Sequence, residues 1–201
     1  MYKEMKARFS LGDDIDPDDV AGVFDLLPQM LRLKQISTDP RLMGVEGVTD
    51  KGAKIEWLLE FISNYKDTNG NQKPLVIFSQ FVSSVHVWQK EIENLGCKVA
   101  LINGSVIGTK RTETVQLFQA GHIDVLICQT NAAATGITLD RADTVIFMDE
   151  LYEVHTNIQA QDRVCPTQEN VSSVHEVVIL YTRGIEERVQ EICNAKHKEM
   201  L

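Results

Sequence analysis

From Leu75 onward, short uninterrupted apolar runs alternate with stretches in which apolar residues recur every three or four positions. The runs LVIF (75–78), KVALI (98–102), DVLIC (124–128), TVIFM (144–148) and VHEVVIL (174–180) predict strands. Between them, VSSVHVWQKEIENLG predicts a helix ending at Gly96 and TKRTETVQLFQAG one ending at Gly121, while IEERVQEICNAKHKEM closes the chain as a helix. Strands that are apolar on consecutive residues, rather than on alternate ones, must be buried on both faces. Separated by helices, they predict a parallel sheet with helices on both sides.

Residues 1 to 72 have a different texture, with helical signals only: an acidic opening DDIDPDDV, then VFDLLPQMLRLKQI, then GAKIEWLLEFISNY. In the last of these Ile55, Leu58, Leu59 and Ile62 form one apolar stripe that needs a neighbour, and Asp50 is placed to cap the helix. The polar cluster KDTNGNQKP ends this segment. The expected organisation is therefore a helical lead-in over 1–72 and an α/β domain over 73–201.

Composition changes this picture little. With 201 residues, 43% hydrophobic and 24% charged, the chain can bury a sizeable core. No apolar run approaches the roughly 18 residues that cross a bilayer, and MYKEMKARFS has no apolar stretch for a secretory signal, so the chain reads as intracellular, with no membrane partner. Cys97, Cys128, Cys165 and Cys193 have neither the close pairing of a zinc site nor the density of a disulfide scaffold. A net charge of −9 argues against holding nucleic acid by bulk attraction, so any such contact must be local.

In doubly wound sheets the functional residues lie beyond the carboxyl ends of the strands, and there the sequence becomes specific. Ser79-Gln80-Phe81 follows the first strand; Asn103-Gly104-Ser105 follows the second, with Lys110, Arg111, Phe118 and Gly121 downstream. QTNAAATGITLDRADTVIFMDE follows the third, and IQAQDRV lies beyond the fourth. VIFSQF resembles motif IV of Swi/Snf-type superfamily-two ATPases; the third-strand segment resembles motif V, with Thr130, Ala132, Gly136 and Leu139 at the family's spacing; IQAQDRV resembles the start of motif VI. LPQMLRLKQISTDP and KGAKIEWLLEFI are similar to the helices that lead into this lobe, so the resemblance runs from about residue 22 to 192. It implies the second RecA-like lobe of an ATP-dependent DNA translocase or helicase, compact in the manner of a bacterial or phage enzyme and then acting in cytoplasm or nucleoid.

The resemblance also implies roles. Such a lobe supplies positive charge to the γ-phosphoryl group of ATP bound with Mg2+, chiefly by a first lobe. Arg163 would stabilise the transition state and Gln159, four residues earlier, would share its helix face; Gly136 and Asp162 would adjoin the nucleotide. Ser79, Gln80, Asn103, Gly104, Thr130 and Asn131 would contact DNA, with duplex the family's usual track, through hydroxyls, amides and backbone N–H groups that hold phosphate without reading sequence. Lys110 and Arg111 could touch a phosphate or form a solvated helix start.

One departure stands out. Where the family continues with His-Arg, this chain has Val164-Cys165-Pro166-Thr167-Gln168, and neither cysteine nor proline can replace a guanidinium against phosphate. There is no GxxxxGK[ST] loop, since GSVIGTK has the wrong spacing, so the chain is expected to be a fragment or split subunit, silent toward ATP without a first lobe. The competing expectation is an adaptor that binds DNA or protein without catalysis. An unrelated doubly wound nucleotide-binding domain is disfavoured, because no glycine-rich loop follows the first strand. His86 and His175 lack metal-spaced partners, Trp57 and Trp88 read as core, and Asp149-Glu150 reads as ordering its loop rather than binding Mg2+; no metal site is expected.

Overall fold

A computed structural model of the chain describes residues 20–133, 136–151, 153–164, 176–184, 186–187, 190–191 and 194. The chain enters through helix α1 (Val20–Thr38), a 3-10 turn (Pro40–Met43) and helix α2 (Ala53–Asn64). Five strands follow, β1 (Leu75–Ser79), β2 (Val99–Ile102), β3 (Val125–Gln129), β4 (Thr144–Phe147) and β5 (Glu176–Ile179). Helices α3 (Val82–Glu93) and α4 (Gly108–Gln119), the single turn α5 (Thr130–Ala133) and α6 (Val154–Asp162) connect them. Most of the closing helix expected over 185–200 lies outside the described residues.

All strand pairs are parallel, in the order β2-β3-β1-β4-β5, with Ile77 beside Ile127 on one side and Ile146 on the other. Successive strand residues point to opposite faces, so the unbroken apolar runs supply two cores. Leu75, Ile77, Val125, Ile127 and Ile146 meet Ile55, Leu58 and Ile62 of α2 with Trp88 and Ile92 of α3. Val76, Phe78, Leu126, Cys128, Val145 and Phe147 meet Phe118 of α4 and Ala160 of α6. The predicted parallel sheet with helices on both faces is thus the observed architecture. The cysteine at its centre, Cys128, is fully buried and its thiol is pushed up by that burial, which leaves it protonated and unreactive.

The lead-in is tied to this sheet by polar as well as apolar contacts. Asp39, only 1% exposed, accepts from the Arg41 backbone N–H and guanidinium and from Trp88 Nε1 at 2.9 Å. Arg41 also forks onto Glu91 of α3. Lys54, at the start of α2, donates to the carbonyls of Met148 (2.6 Å) and Leu180 (2.9 Å) and to Glu186 Oε1 (2.7 Å). Lys34 of α1 donates to the Glu150 carbonyl. Because α2 fills the same core as β1, the change of texture near residue 72 does not separate two cores.

Two local expectations change. Asp50 does not cap α2; Gly52 is the N-cap, with φ of 76°, and the Asp50 carboxylate accepts the Gly52 N–H one turn earlier. Trp57 is not core: it is 36% exposed on the outer side of α2, because the stripe Ile55, Leu58 and Ile62 already occupies the inner side. Trp88, at 1% exposure, is core as expected. His86 lies exposed on α3, and His175 is outside the described residues.

Candidate functional site

Because every strand runs the same way, the residues following each of them fall on one edge of the sheet. Across that edge, in strand order, come Asn103 and Gly104, then Gln129 and Thr130, then Ser79 and Gln80, then Asp149, then Leu180. The six residues expected to meet DNA are thereby brought together. They divide into an exposed set and a supporting set beneath it.

Ser79 belongs to the supporting set. It is fully buried; its hydroxyl donates to Asp149 Oδ2 at 2.6 Å and accepts the Phe81 N–H at 3.1 Å. Asp149, 1% exposed, also accepts the Gln80 N–H at 2.9 Å. The Ser79 hydroxyl is therefore committed to shaping its own loop, a correction to its expected direct role, and the Asp149 carboxylate orders the loop as its sequence position suggested. Asn103 is buried, and its Oδ1 accepts the N–H (3.0 Å) and hydroxyl (2.6 Å) of Ser105. Gln129, which the sequence reading overlooked, accepts the Gly104 N–H at 3.2 Å and so joins the ends of β2 and β3. The available signal was a polar residue terminating an apolar strand.

Gly104 and Asn131 are exposed, and Gln80 is half-buried. Two polar atoms at this edge have no partner among the described residues: the buried Gln80 Nε2 and the Thr130 Oγ1, the latter on a fully buried residue. Leaving such a group unpaired costs about 1–3 kcal/mol each, so the edge is under-satisfied on its own. Helix α5, which Thr130 opens, is a single turn; a helix macrodipole contributes little there, and hydroxyl, amide and backbone groups remain as the chemistry. Arg111 is bound through Nη2 to the Ala132 carbonyl, holding α4 against this turn, whereas Lys110 is exposed.

A second group lies on α6 and the loop before β4. His155, Gln159 and Arg163 follow one another at four-residue spacing, so they form one stripe; Gln159 Nε2 lies 2.7 Å from His155 Nε2. Arg163 follows the last turn of α6, half-buried, and its carbonyl accepts the Leu139 N–H at 2.7 Å. That bond stitches the end of α6 to the loop carrying Gly136, whose φ of 69° is left-handed and suits glycine. Asp162 is exposed at the end of α6. Cys165 and Pro166 lie outside the described residues. Among the described residues no three His, Cys, Asp or Glu side chains gather as for a metal ion, and no helix is long and apolar enough to cross a membrane.

Glu150, beside Asp149, has its carboxyl pushed up mainly by burial, against the pull of Lys34. A carboxyl raised in the folded state stabilises the fold most below the ordinary value of 4.5 and withdraws that stability as pH rises through the raised value. Glu150→Gln is therefore expected to be more stable than the parent at pH 7, the two converging as pH falls toward 4.5. Thermal unfolding of both proteins across that range measures the difference, and a constant gap would remove the electrostatic explanation.

The helicase conserved C-terminal domain model matches residues 53–165. The Bacillus subtilis protein YwqA is 29% identical over 177 residues, 85% of this chain and 19% of its own length. The ATP-dependent helicase fft3 of Schizosaccharomyces pombe is 30% identical over 145 residues, 71% of this chain and 15% of its own. The chain thus spans about a fifth or less of the curated relatives it matches. Among solved structures, the Sulfolobus solfataricus SWI2/SNF2 ATPase core in complex with dsDNA superposes with a TM-score of 0.75 at 24% identity, covering 98% of this chain and 41% of that one.

Proposed function

The chain belongs to the helicase conserved C-terminal domain family, in its Swi/Snf form, and from that premise we propose that it is the second motor lobe of an ATP-dependent DNA translocase. In this reading the carboxyl edge of the sheet grips the DNA backbone, and the α6 stripe faces ATP held by a first lobe. The observation that carries it is the convergence of three strand ends, with Ser79, Gln80, Asn103, Gly104, Thr130 and Asn131, on one edge bearing two unpartnered buried polar atoms. The Sulfolobus relative was solved with double-stranded DNA, which supports duplex as the track.

The residues differ in what they do. Gln80 and Asn131 reach the phosphates through their side-chain amides, which hold charge without reading sequence, and the exposed Gly104, with no side chain, lets the DNA strand come close. Ser79 and Asn103 lie behind them and set loop shape, while the unpartnered Thr130 hydroxyl is left for the backbone that the edge grips. On the other surface Arg163 supplies positive charge to the developing charge on the γ-phosphoryl group, and Gln159 positions it. Gly136 and Asp162 adjoin the nucleotide, the first through the Leu139 bond that ties its loop to Arg163 and the second as the residue before Arg163 in the chain. The described residues support this partial role with a stripe ending in Arg163 and a left-handed glycine at Gly136. Bound ATP–Mg2+ supplies the phosphoryl group and its counter-charge; this chain contributes orientation and one guanidinium.

The expected result is no ATP hydrolysis by the 201-residue chain with or without duplex DNA, and DNA-stimulated hydrolysis once it is joined to a first motor lobe. Turnover by the chain alone would sink the half-motor reading. Silence in both preparations, with duplex still bound, would favour the adaptor reading, to which the sequence Val164-Cys165-Pro166 lends its own support by leaving out a second arginine.

A further inference from the structure

We propose that the outer face of α2 is a docking site for an arginine-bearing segment of a basic protein partner. Trp57, Phe61 and Tyr65 stand four residues apart along that face and stack as a ladder, with ring centroids 5.1 and 5.0 Å apart and both interplanar angles 21°. Phe61 and Tyr65 are half-buried and pack against the core that Ile55, Leu58 and Ile62 fill, whereas Trp57 is 36% exposed and lies outside it. With Glu60 and Asn64 the ladder lines a cleft of about 340 Å³. Phe61 and Tyr65 thus build the floor of the cleft from the core outward, Trp57 is its open wall, and an apolar cleft rimmed by polar residues of this kind marks contact with a partner.

The chemistry of the cleft selects the occupant. One end of the ladder already holds a cation, since the Lys73 ammonium sits 4.6 Å over the Tyr65 ring. At the other end Trp57 is open, beside Glu60, which is exposed and pairs with no cation among the described residues. Glu56, also exposed, adds negative charge on the same helix. A planar guanidinium can lie flat on the outer face of the Trp57 ring, the one not stacked on Phe61, while its N–H fork meets the Glu60 carboxylate, a combination that a lysine ammonium makes less well. A nucleic-acid base could also stack here, but its phosphates would be brought toward Glu56 and Glu60, so the charge disfavours it.

The face is also separate from the motor surfaces. Helix α2 starts with Lys54 at the carboxyl edge of the sheet and runs down its flank to Tyr65, whose hydroxyl meets Thr144 Oγ1 at 2.7 Å at the start of β4. A partner seated on Trp57, Phe61 and Tyr65 would leave the strand ends and the α6 stripe open.

The test is an amide chemical-shift titration of the 201-residue chain with acetylated tetra-arginine amide, tetra-lysine amide and oligo-dT. Tetra-arginine is expected to bind saturably on residues 56–65 and the Trp57 indole, weakly, on the order of a millimolar for so short a peptide, and more tightly than tetra-lysine. Trp57→Ala and Glu60→Gln should each weaken it about fivefold. Glu93→Gln, the same charge change on α3, should leave it unaltered. Glu60→Gln is conservative and exposed, so it remains decisive even if Trp57→Ala perturbs the helix. Shifts that fail to saturate, or that respond equally to Glu60→Gln and Glu93→Gln, would overturn the proposal. So would saturable binding of oligo-dT in preference to tetra-arginine, which would make the face a stacking platform for bases.

Discussion

In the chain joined to a first motor lobe, Arg163→Ala is expected to lower kcat for DNA-stimulated ATP hydrolysis by about a thousandfold, with KM for ATP changed by a few fold at most. The size follows from the role: a guanidinium aimed at charge that develops only in the transition state contributes to kcat and little to ground-state binding. Arg163→Lys should recover little, because a compact ammonium does not reproduce the planar fork. The bond from the Leu139 N–H uses the Arg163 backbone carbonyl, so it survives both substitutions and the loop bearing Gly136 should keep its place. Comparing kcat with the unfolding midpoint of each variant separates chemistry from folding. A kcat within about tenfold of the parent would remove Arg163 from the transition state.

Lys54→Met is expected to cost about 3–5 kcal/mol of stability, the range for removing one partner of a buried ion pair. Lys54 and Glu186 are each about 5% exposed, and their contact is 2.7 Å. The second oxygen of Glu186 accepts the N–H and hydroxyl of Thr182, both at 2.9 Å, so the carboxylate cannot swing to water without breaking those bonds. Without the ammonium, two backbone carbonyls, at Met148 and Leu180, also lose their donor. The double variant Lys54→Met with Glu186→Leu should recover much of the loss, since exchanging a buried pair for apolar residues of similar volume is often neutral. Urea unfolding of the two single variants and the double variant gives the coupling directly. A loss for Lys54→Met under about 1 kcal/mol would mean that Glu186 is solvated in solution.

The effect of Lys54 bears on function because of where it acts. It ties the start of α2 to the carbonyls that follow β4 and β5, one residue from the Asp149 that shapes the Ser79-Gln80 loop. Lys34 repeats the arrangement from α1 to Glu150. The lead-in is therefore fastened to the edge proposed to hold DNA, and a shift in one must strain the other.

Much of this protein was legible in its sequence. The unbroken apolar runs at 75–78, 125–128 and 145–148 required burial on both faces, and periodic stripes such as Ile55, Leu58 and Ile62 required a surface to cover; a parallel sheet under two helical layers satisfies both. Strand direction then fixes which loops share an edge, so the strand-end residues follow from the sequence pattern. What stayed hidden were the partners chosen within that edge. Ser79 and Gly104 look alike in sequence, as small residues at strand ends, yet one is locked beneath Asp149 and the other is exposed. Lys34 and Lys54 resemble surface lysines until carbonyls from more than ninety residues away close over them. Periodicity and turn chemistry are local properties, carried by a dozen neighbouring residues, and they determine elements and direction. Burial of a single polar group depends on which distant atom can satisfy it, and only the folded chain decides that.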